Sequence, residues 1–331
     1  METVLTCLRA AAEPTRLRLL LLCARAELTV SDLTQILGQS QPRVSRHLKL
    51  MCDAGLLERF REGAWAFYRR AARGEAATIA EALVAMVPPD DPELALDIER
   101  LNQVKRARAE AADAYFTTAA GDWARIRAMH IDEAEVERAL VDSLAPRAGA
   151  RPIVDLLDLG TGTGRLIELF GPTVERAIGI DASRAMLAVA RAAIERAGLN
   201  HCSVRQGDVY QLPFPAESFD AVTLHQVLHF LDDPGAVLAE AARVLRPGGR
   251  LIAVDFAPHA LEELREVHAH RRLGLRDSDM RQWLTRAGLS PAAPRHLKGH
   301  PLTVVVWAAT RPFTADHPVP TPTRALAETL S

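Results

Sequence analysis

Hydrophobic positions in the first fifty residues recur at helical spacing. Leu17, Leu20 and Leu21 form an apolar stripe behind Pro14, whose missing N–H costs nothing in the first turn of a helix. Thr29 followed three residues later by Asp32 is an N-cap signature, predicting a helix that stops at Gly38. Ser40 is placed to cap a fourth helix, with Pro42 tolerated in its first turn and a stop at Gly55. The period then shortens. Leu56–Phe60 and Ala64–Tyr68 read as two strands about a turn at Glu62-Gly63. Short helices followed by a basic-edged hairpin predict an α+β winged helix-turn-helix.

Pro88-Pro89-Asp90-Asp91-Pro92 forbids continuous helix and reads as a linker. Residues 93–144 are rich in Ala, Glu and Arg and predict a helical bridge. From Ile153 short apolar strands alternate with helical stretches: Ile153–Leu159, Ala177–Ile180, Ser203–Gln206, Ala221–Leu224 and Arg250–Phe256. That rhythm predicts an α/β, Rossmann-like doubly wound parallel sheet, with Leu302–Ala308 as a last strand. Pro312, Pro318, Pro320 and Pro322 mark a tail expected to be disordered. The expected division is 1–87 for the winged helix, 88–149 for linker and bridge, 150–311 for the sheet domain and 312–331 for the tail.

Composition narrows the function classes. With 48% hydrophobic and 25% charged residues over 331 positions, the chain is that of a globular protein of about two domains. No apolar run reaches the ~18 residues a membrane span needs, and no secretory pattern opens the sequence, so a cytoplasmic location without membrane contact is expected. Cys7, Cys23, Cys52 and Cys202 lack metal-ligand spacing; no metal site is expected, and buried structural thiols are the commoner reading. Net charge is −2, yet residues 1–72 carry eleven Lys and Arg against seven Asp and Glu. A basic N-terminal unit on an acidic body points weakly to DNA.

The helix from Gln41 carries Arg43, Ser45, Arg46, His47 and Lys49, with Val44, Leu48 and Met51 on the opposite stripe. Donors on one face are what a helix in the major groove requires. The segments Glu13–Leu20, Ser40–Lys49 and Ala54–Leu57 closely resemble the ArsR/SmtB family of winged-helix repressors. The resemblance implies a homodimer reading a double-stranded operator, with Ser40, Gln41, Arg43, Ser45, Arg46, His47 and Lys49 at the DNA and Arg61 on the wing. Metal-sensing members carry Cys-x-Cys where Thr29 and Ser31 stand here, and residues 74–87 contain no histidine for the family's other metal site.

Leu156–Gly164 is a strand running into a glycine-rich turn. A dinucleotide fingerprint would place its third glycine at 165; that residue is Arg165, and the glycine is Gly164. Asp158 places a carboxylate where a pyrophosphate would be repelled and an ammonium group welcomed. Asp181 and Asp208 end the next two strands, where a ribose and an adenine amino group would lie. Together these acids suit a cationic ligand bearing ribose and adenine, such as S-adenosylmethionine. The same segments, with Phe219–Val222, Val227–His229 and Val244–Arg250, look like class I methyltransferases of the UbiE-like branch. The resemblance implies that S-adenosylmethionine, or S-adenosylhomocysteine as product, lies against Asp158, Gly160, Gly162, Gly164, Asp181, Ala182, Met186, Asp208, Val209, His225 and Gln226.

Base candidates are His225, His229, His268 and His270. With only Cys202 in this region, arsenite is not the expected acceptor. Tyr115, Phe116 and Trp123 read as a lid or as packing between helix and sheet. Three functions follow: a regulator coupling operator binding to cofactor or small-molecule state, an active small-molecule methyltransferase with an independent DNA-binding module, or a winged helix serving only to dimerise. The donor-rich face from Arg43 to Lys49 argues against the last.

Overall fold

Side-chain caps start two of the N-terminal helices. A computed structural model describes residues 1–62, 65–71, 74–88, 90–119, 133–145 and 152–313. They divide into two units: Met1–Ala112 with His259–Leu273, and Asp113–Pro258 with the chain from Gly274 onward.

In the first unit, α1 (Glu2–Ala11) precedes α2 (Pro14–Arg25), which has Pro14 in its first turn and the Glu13 carboxylate accepting from the Arg16 N–H. Thr29 and Asp32 form a reciprocal capping box on α3 (Val30–Leu37), satisfying two otherwise orphaned donors. Ser40 occupies the N-cap position of α4 (Gln41–Asp53) in extended backbone, but its hydroxyl makes no capping bond. Val44, Leu48 and Met51 are fully buried against Leu19, Leu33 and Ile36, so the predicted stripe is the core face of α4.

The wing is an antiparallel hairpin, β2 (Leu57–Glu62) and β3 (Trp65–Arg70). A two-residue strand, β1 (Leu28–Thr29), extends it by pairing Leu28 with Tyr68 and Thr29 with Phe67. After α5 (Glu75–Met86), α6 (Pro92–Ala119) folds back on this core. Asp97, wholly buried, takes a two-pronged bond from Arg18, both contacts 2.6 Å, and Leu101 joins the apolar cluster.

The second unit holds α7 (Glu133–Leu144) and a sheet ordered β10-β11-β8-β7-β4-β5-β6. Strands β4 (Asp155–Leu159), β5 (Arg176–Asp181), β6 (Cys202–Gln206), β7 (Phe219–His225) and β8 (Leu245–Phe256) are parallel. The reading of a parallel sheet is corrected at its far side. There β11 (Thr303–Thr310) runs antiparallel to β8, with β10 (Arg295–Lys298) and the short β9 (Ser290–Pro291) on its outer side. A chain turning directly back from β10 into β11 needs no crossover helix, so antiparallel pairing is its natural outcome.

Helices α8 (Arg165–Phe170), α9 (Arg184–Arg196), α10 (Pro234–Val244) and α12 (Asp277–Arg286) follow strands; α11 (Glu263–Glu266) belongs to the first unit. Below the sheet, Asp220 accepts from the Val154 and Asp155 N–H groups and pairs with Arg246 at 2.9 Å. Burial works against its charge, but these donors and the guanidinium hold its carboxyl below the ordinary range. Strands β5 and β6 lie on one side of β4, and β7 and β8 on the other. The β4–β7 boundary is therefore a topological switch point, where open α/β sheets leave a crevice outside their carboxyl ends.

Candidate DNA interface and cofactor site

On the solvent face of α4, Gln41, Arg43, Arg46 and Lys49 are exposed and Ser45 is half-buried. Arg61 is exposed on β2. Among the described residues none pairs ionically with Arg43, Arg46, Lys49 or Arg61. Other cations of the basic unit are engaged internally: Arg16 bonds the Ala10 carbonyl, Arg18 holds α6, and Arg69 pairs with Glu27 and Glu58. His47 differs from its neighbours, its Nδ1 lying 3.7 Å from the Glu13 carboxylate at the start of α2. Burial raises the thiol pKa of Cys7, Cys23 and Cys52, the last to about 11. These thiols stay protonated at neutral pH and behave as small core side chains.

The second unit gathers its sequence-predicted residues at the carboxyl edge of the parallel strands. Gly160 turns the chain off β4 with φ +67°, donating to the Ile180 carbonyl at 2.8 Å. A Cβ there would overlap the Val227 side chain, so the turn requires glycine. Asp181, at the end of β5, accepts from Gly162 N–H at 2.7 Å and from Ser183 N–H at 2.8 Å, tying the glycine loop to the next strand. Ser183 then caps α9, carrying exposed Ala182 before it and buried Met186 in its first turn.

Asp208 is exposed one strand further on, accepting from the Tyr210 N–H, with Val209 half-buried between. Asp158 is buried and accepts from Thr223 Oγ1 at 2.7 Å, across the switch point. His225 is half-buried at the end of β7. Gln226 is buried with φ +53°, its N–H donating to the Val254 carbonyl at 2.7 Å. A left-handed glutamine is a strained conformation that the surrounding structure must hold.

Sequence reasoning missed the partner of His229. Both side chains are buried, and Asp255 Oδ1 lies 2.7 Å from His229 Nδ1, while Oδ2 accepts the His229 backbone N–H at 3.1 Å. The Phe256 N–H donates to the same carboxylate at 2.8 Å. The signal available was an acid within the apolar run Leu251–Phe256, where burial demands a partner. Phe230 and Phe256 pack on the imidazole, and Phe116 meets Phe230 edge-on at 4.8 Å. His268 and His270 belong to the first unit. The Tyr115 side chain, Trp123, the Glu62-Gly63 turn and the tail from 314 lie outside the described residues.

The residues at this edge fit S-adenosylmethionine: a left-handed glycine turn leaves β4 there, and Asp181 and Asp208 place carboxylates on adjacent strand ends, suited to a ligand that carries positive charge.

Comparison with known proteins divides the chain in the same way. Residues 13–59 match the family described as bacterial regulatory protein, arsR family, and residues 157–253 match the methyltransferase domain family. The uncharacterized methyltransferase YcgJ of Bacillus subtilis is 35% identical over 135 residues, 39% of this chain and 53% of that protein. The ubiquinone/menaquinone biosynthesis C-methyltransferase UbiE of Vibrio parahaemolyticus is 35% identical over 125 residues, 37% of this chain and 48% of its own length. The chain thus spans about half the length of the curated relatives it matches. The solved structure of YcgJ superimposes with a TM-score of 0.48 and 19% identity, covering 55% of this chain and all of that one. Within the described residues no helix is long and apolar enough to cross a membrane. Residues 13–59 therefore match a bacterial regulatory domain of the arsR family and residues 157–253 a methyltransferase domain, joined in one chain.

Proposed function

We propose that this protein is an ArsR-type transcriptional regulator whose methyltransferase domain binds S-adenosylmethionine or S-adenosylhomocysteine and couples that state to operator binding. The observation that carries the reading is the coexistence of Arg43, Arg46 and Lys49, exposed on α4 and without an ion pair among the described residues, with the Asp181 and Asp208 edge beside the glycine turn. Ser40, Gln41, Ser45 and the wing's Arg61 complete the DNA face, with His47 held beside it toward Glu13. The regulator works in the cytoplasm, where its operator lies. A homodimer fits the exposed apolar stripe Val4, Leu5 and Leu8 on α1 and Met86 on α5, the helix that α1 packs against.

In the cofactor site, Asp158 would take the methionine amino group, Asp181 the ribose hydroxyls, and Met186 the adenine face. Asp208 and Val209 border the adenine, while His225 and Gln226 border the sulfonium. Gly160, Gly162, Gly164 and Ala182 give the backbone close approach. When bound, S-adenosylmethionine supplies an electrophilic methyl group.

A second reading, an active small-molecule methyltransferase beside an independent DNA-binding module, is favoured by the His229–Asp255 pair. The carboxylate orients the imidazole, as a group that takes a proton from an acceptor requires. His225 is the alternative base.

The deciding experiment titrates the full chain on its own promoter with S-adenosylmethionine and, separately, S-adenosylhomocysteine, following anisotropy at fixed salt. A ligand that changes operator affinity does so by its differential affinity for two states of the protein, and the ratio gives the coupling free energy. Asp181→Ala is expected to lose both ligand binding and that response while keeping the fold. Operator affinity indifferent to bound ligand would leave the second reading standing.

A further inference from the structure

Between β8 and α12 the chain leaves the sheet and returns. Residues His259–Leu273 fold with Met1–Ala112, although the segments before and after them belong to the other unit. The two limbs of this excursion are closed at a neck. Leu275 N–H donates to the Phe256 carbonyl at 2.8 Å, and His259 N–H donates to the Leu273 carbonyl at 3.0 Å. Gly274 sits at the neck with φ +86°, where a Cβ would overlap the Ala257 carbonyl. The limbs therefore lie too close for any side chain at 274.

Within the first unit the excursion is anchored to the wing and its root. Buried Arg272 pairs with Glu27, which also binds Arg69 of β3 at 3.2 Å. Arg69 in turn bonds Glu58 of β2 at 3.1 Å and stands 5.0 Å from the Phe60 ring centroid. Arg265 lies over Phe67, 5.8 Å from its centroid, and Leu264 and Leu273 are buried. Glu27 immediately precedes β1, whose residues pair with Tyr68 and Phe67 of the wing. Burial opposes the Glu27 charge, but the Arg272 and Arg69 guanidiniums hold its carboxyl below the ordinary range. A buried ion cluster adds little net stability over apolar packing and is better suited to fixing one arrangement. At its other end the excursion departs from the last residues of β8, where Asp255 holds His229 and accepts the Phe256 N–H.

We propose that His259–Leu273 is a strap through which the state of the methyltransferase strand edge sets the wing, with Arg272–Glu27–Arg69 as its anchor and Gly274 as its neck. The proposal rests on the coupled-regulator reading above.

The test compares the full chain with Arg272→Ala and Arg265→Ala. Operator affinity by anisotropy and amide hydrogen exchange across residues 57–70 are each read with and without S-adenosylhomocysteine, whose binding is checked by calorimetry. In the natural protein the ligand is expected to change operator affinity about fivefold or more, and in Arg272→Ala this ratio falls to within about twofold although ligand and operator still bind. The ligand-dependent change in wing exchange is lost with it. Arg265→Ala, which leaves the ion cluster intact, is expected to weaken both responses and serves as the readout if Arg272→Ala does not fold. Equal ligand responses in all three proteins would overturn the strap and leave the coupling. A wing-exchange response that the variants abolish, with operator affinity indifferent to ligand, would uphold the strap and overturn the coupling. No response in either readout overturns both.

Discussion

Arg46 and His47 are neighbours on α4 with opposite surroundings: Arg46 is exposed to solvent, while His47 turns toward Glu13. One residue moves a side chain 100° around a helix, so the donor list read from the sequence divides into groups that point outward and one drawn toward α2. Arg46→Ala is expected to weaken operator binding by about 1–3 kcal/mol if it reads a base, or to reduce the salt slope by about one if it binds phosphate. Unchanged affinity and slope at matched salt would remove it from the interface. A similar division holds among the acids of the second unit. Asp181 and Asp208 are accessible at their strand ends, but Asp158 is buried on Thr223. The sequence shows that an acid precedes the glycines; it does not show that a threonine three strands later in the chain faces it.

Elements with local signatures were legible from those signatures. The Thr29–Asp32 box, Pro14 in the first turn of α2 and the Val44–Leu48–Met51 stripe each act within a few residues, and each forms as read. Strands β4 to β8 are short apolar runs between turn signals, and they too were legible. The elements that were not are made by partners far along the chain. β1 is two residues long and exists because β3 offers it a free edge. β10 has Leu297 as its one apolar residue and is a strand only through its register with β11. The strap is the extreme case, since Glu27 and Arg272 are 245 residues apart.

That ion cluster makes a pH-dependent prediction for the elements it joins. The Glu27 pKa is depressed on folding, so its contribution is full above the unfolded carboxylate value and is lost as pH falls through the folded one. Glu27→Gln is expected to cost about 1–3 kcal/mol at neutral pH, read as a lower melting temperature. The difference from the natural protein should close in acid. A gap that persists there would show that packing, not charge, accounts for the loss.

At the scale of the whole molecule, the helix-turn-helix unit presents one α4, and the proposed operator, read in two successive major grooves, would need two. The exposed stripe on α1 is the surface on which a second copy is expected. Leu8→Glu should shift the protein to monomer in sedimentation and weaken operator binding by about tenfold or more, because two linked half-site contacts become one. Full dimer in that variant would move the interface elsewhere. The interrupted course of the chain has its own consequence. The first unit is assembled from two stretches of sequence, and the second is inserted in the chain of the other unit, between Pro258 and Gly274. A cut at Pro88–Pro92 would part Arg272 from Glu27 and Arg265 from Phe67. The two domains are therefore not interchangeable cassettes. A gene rearrangement that swapped either one alone would have to supply a matching counterpart for the strap, which binds their inheritance together.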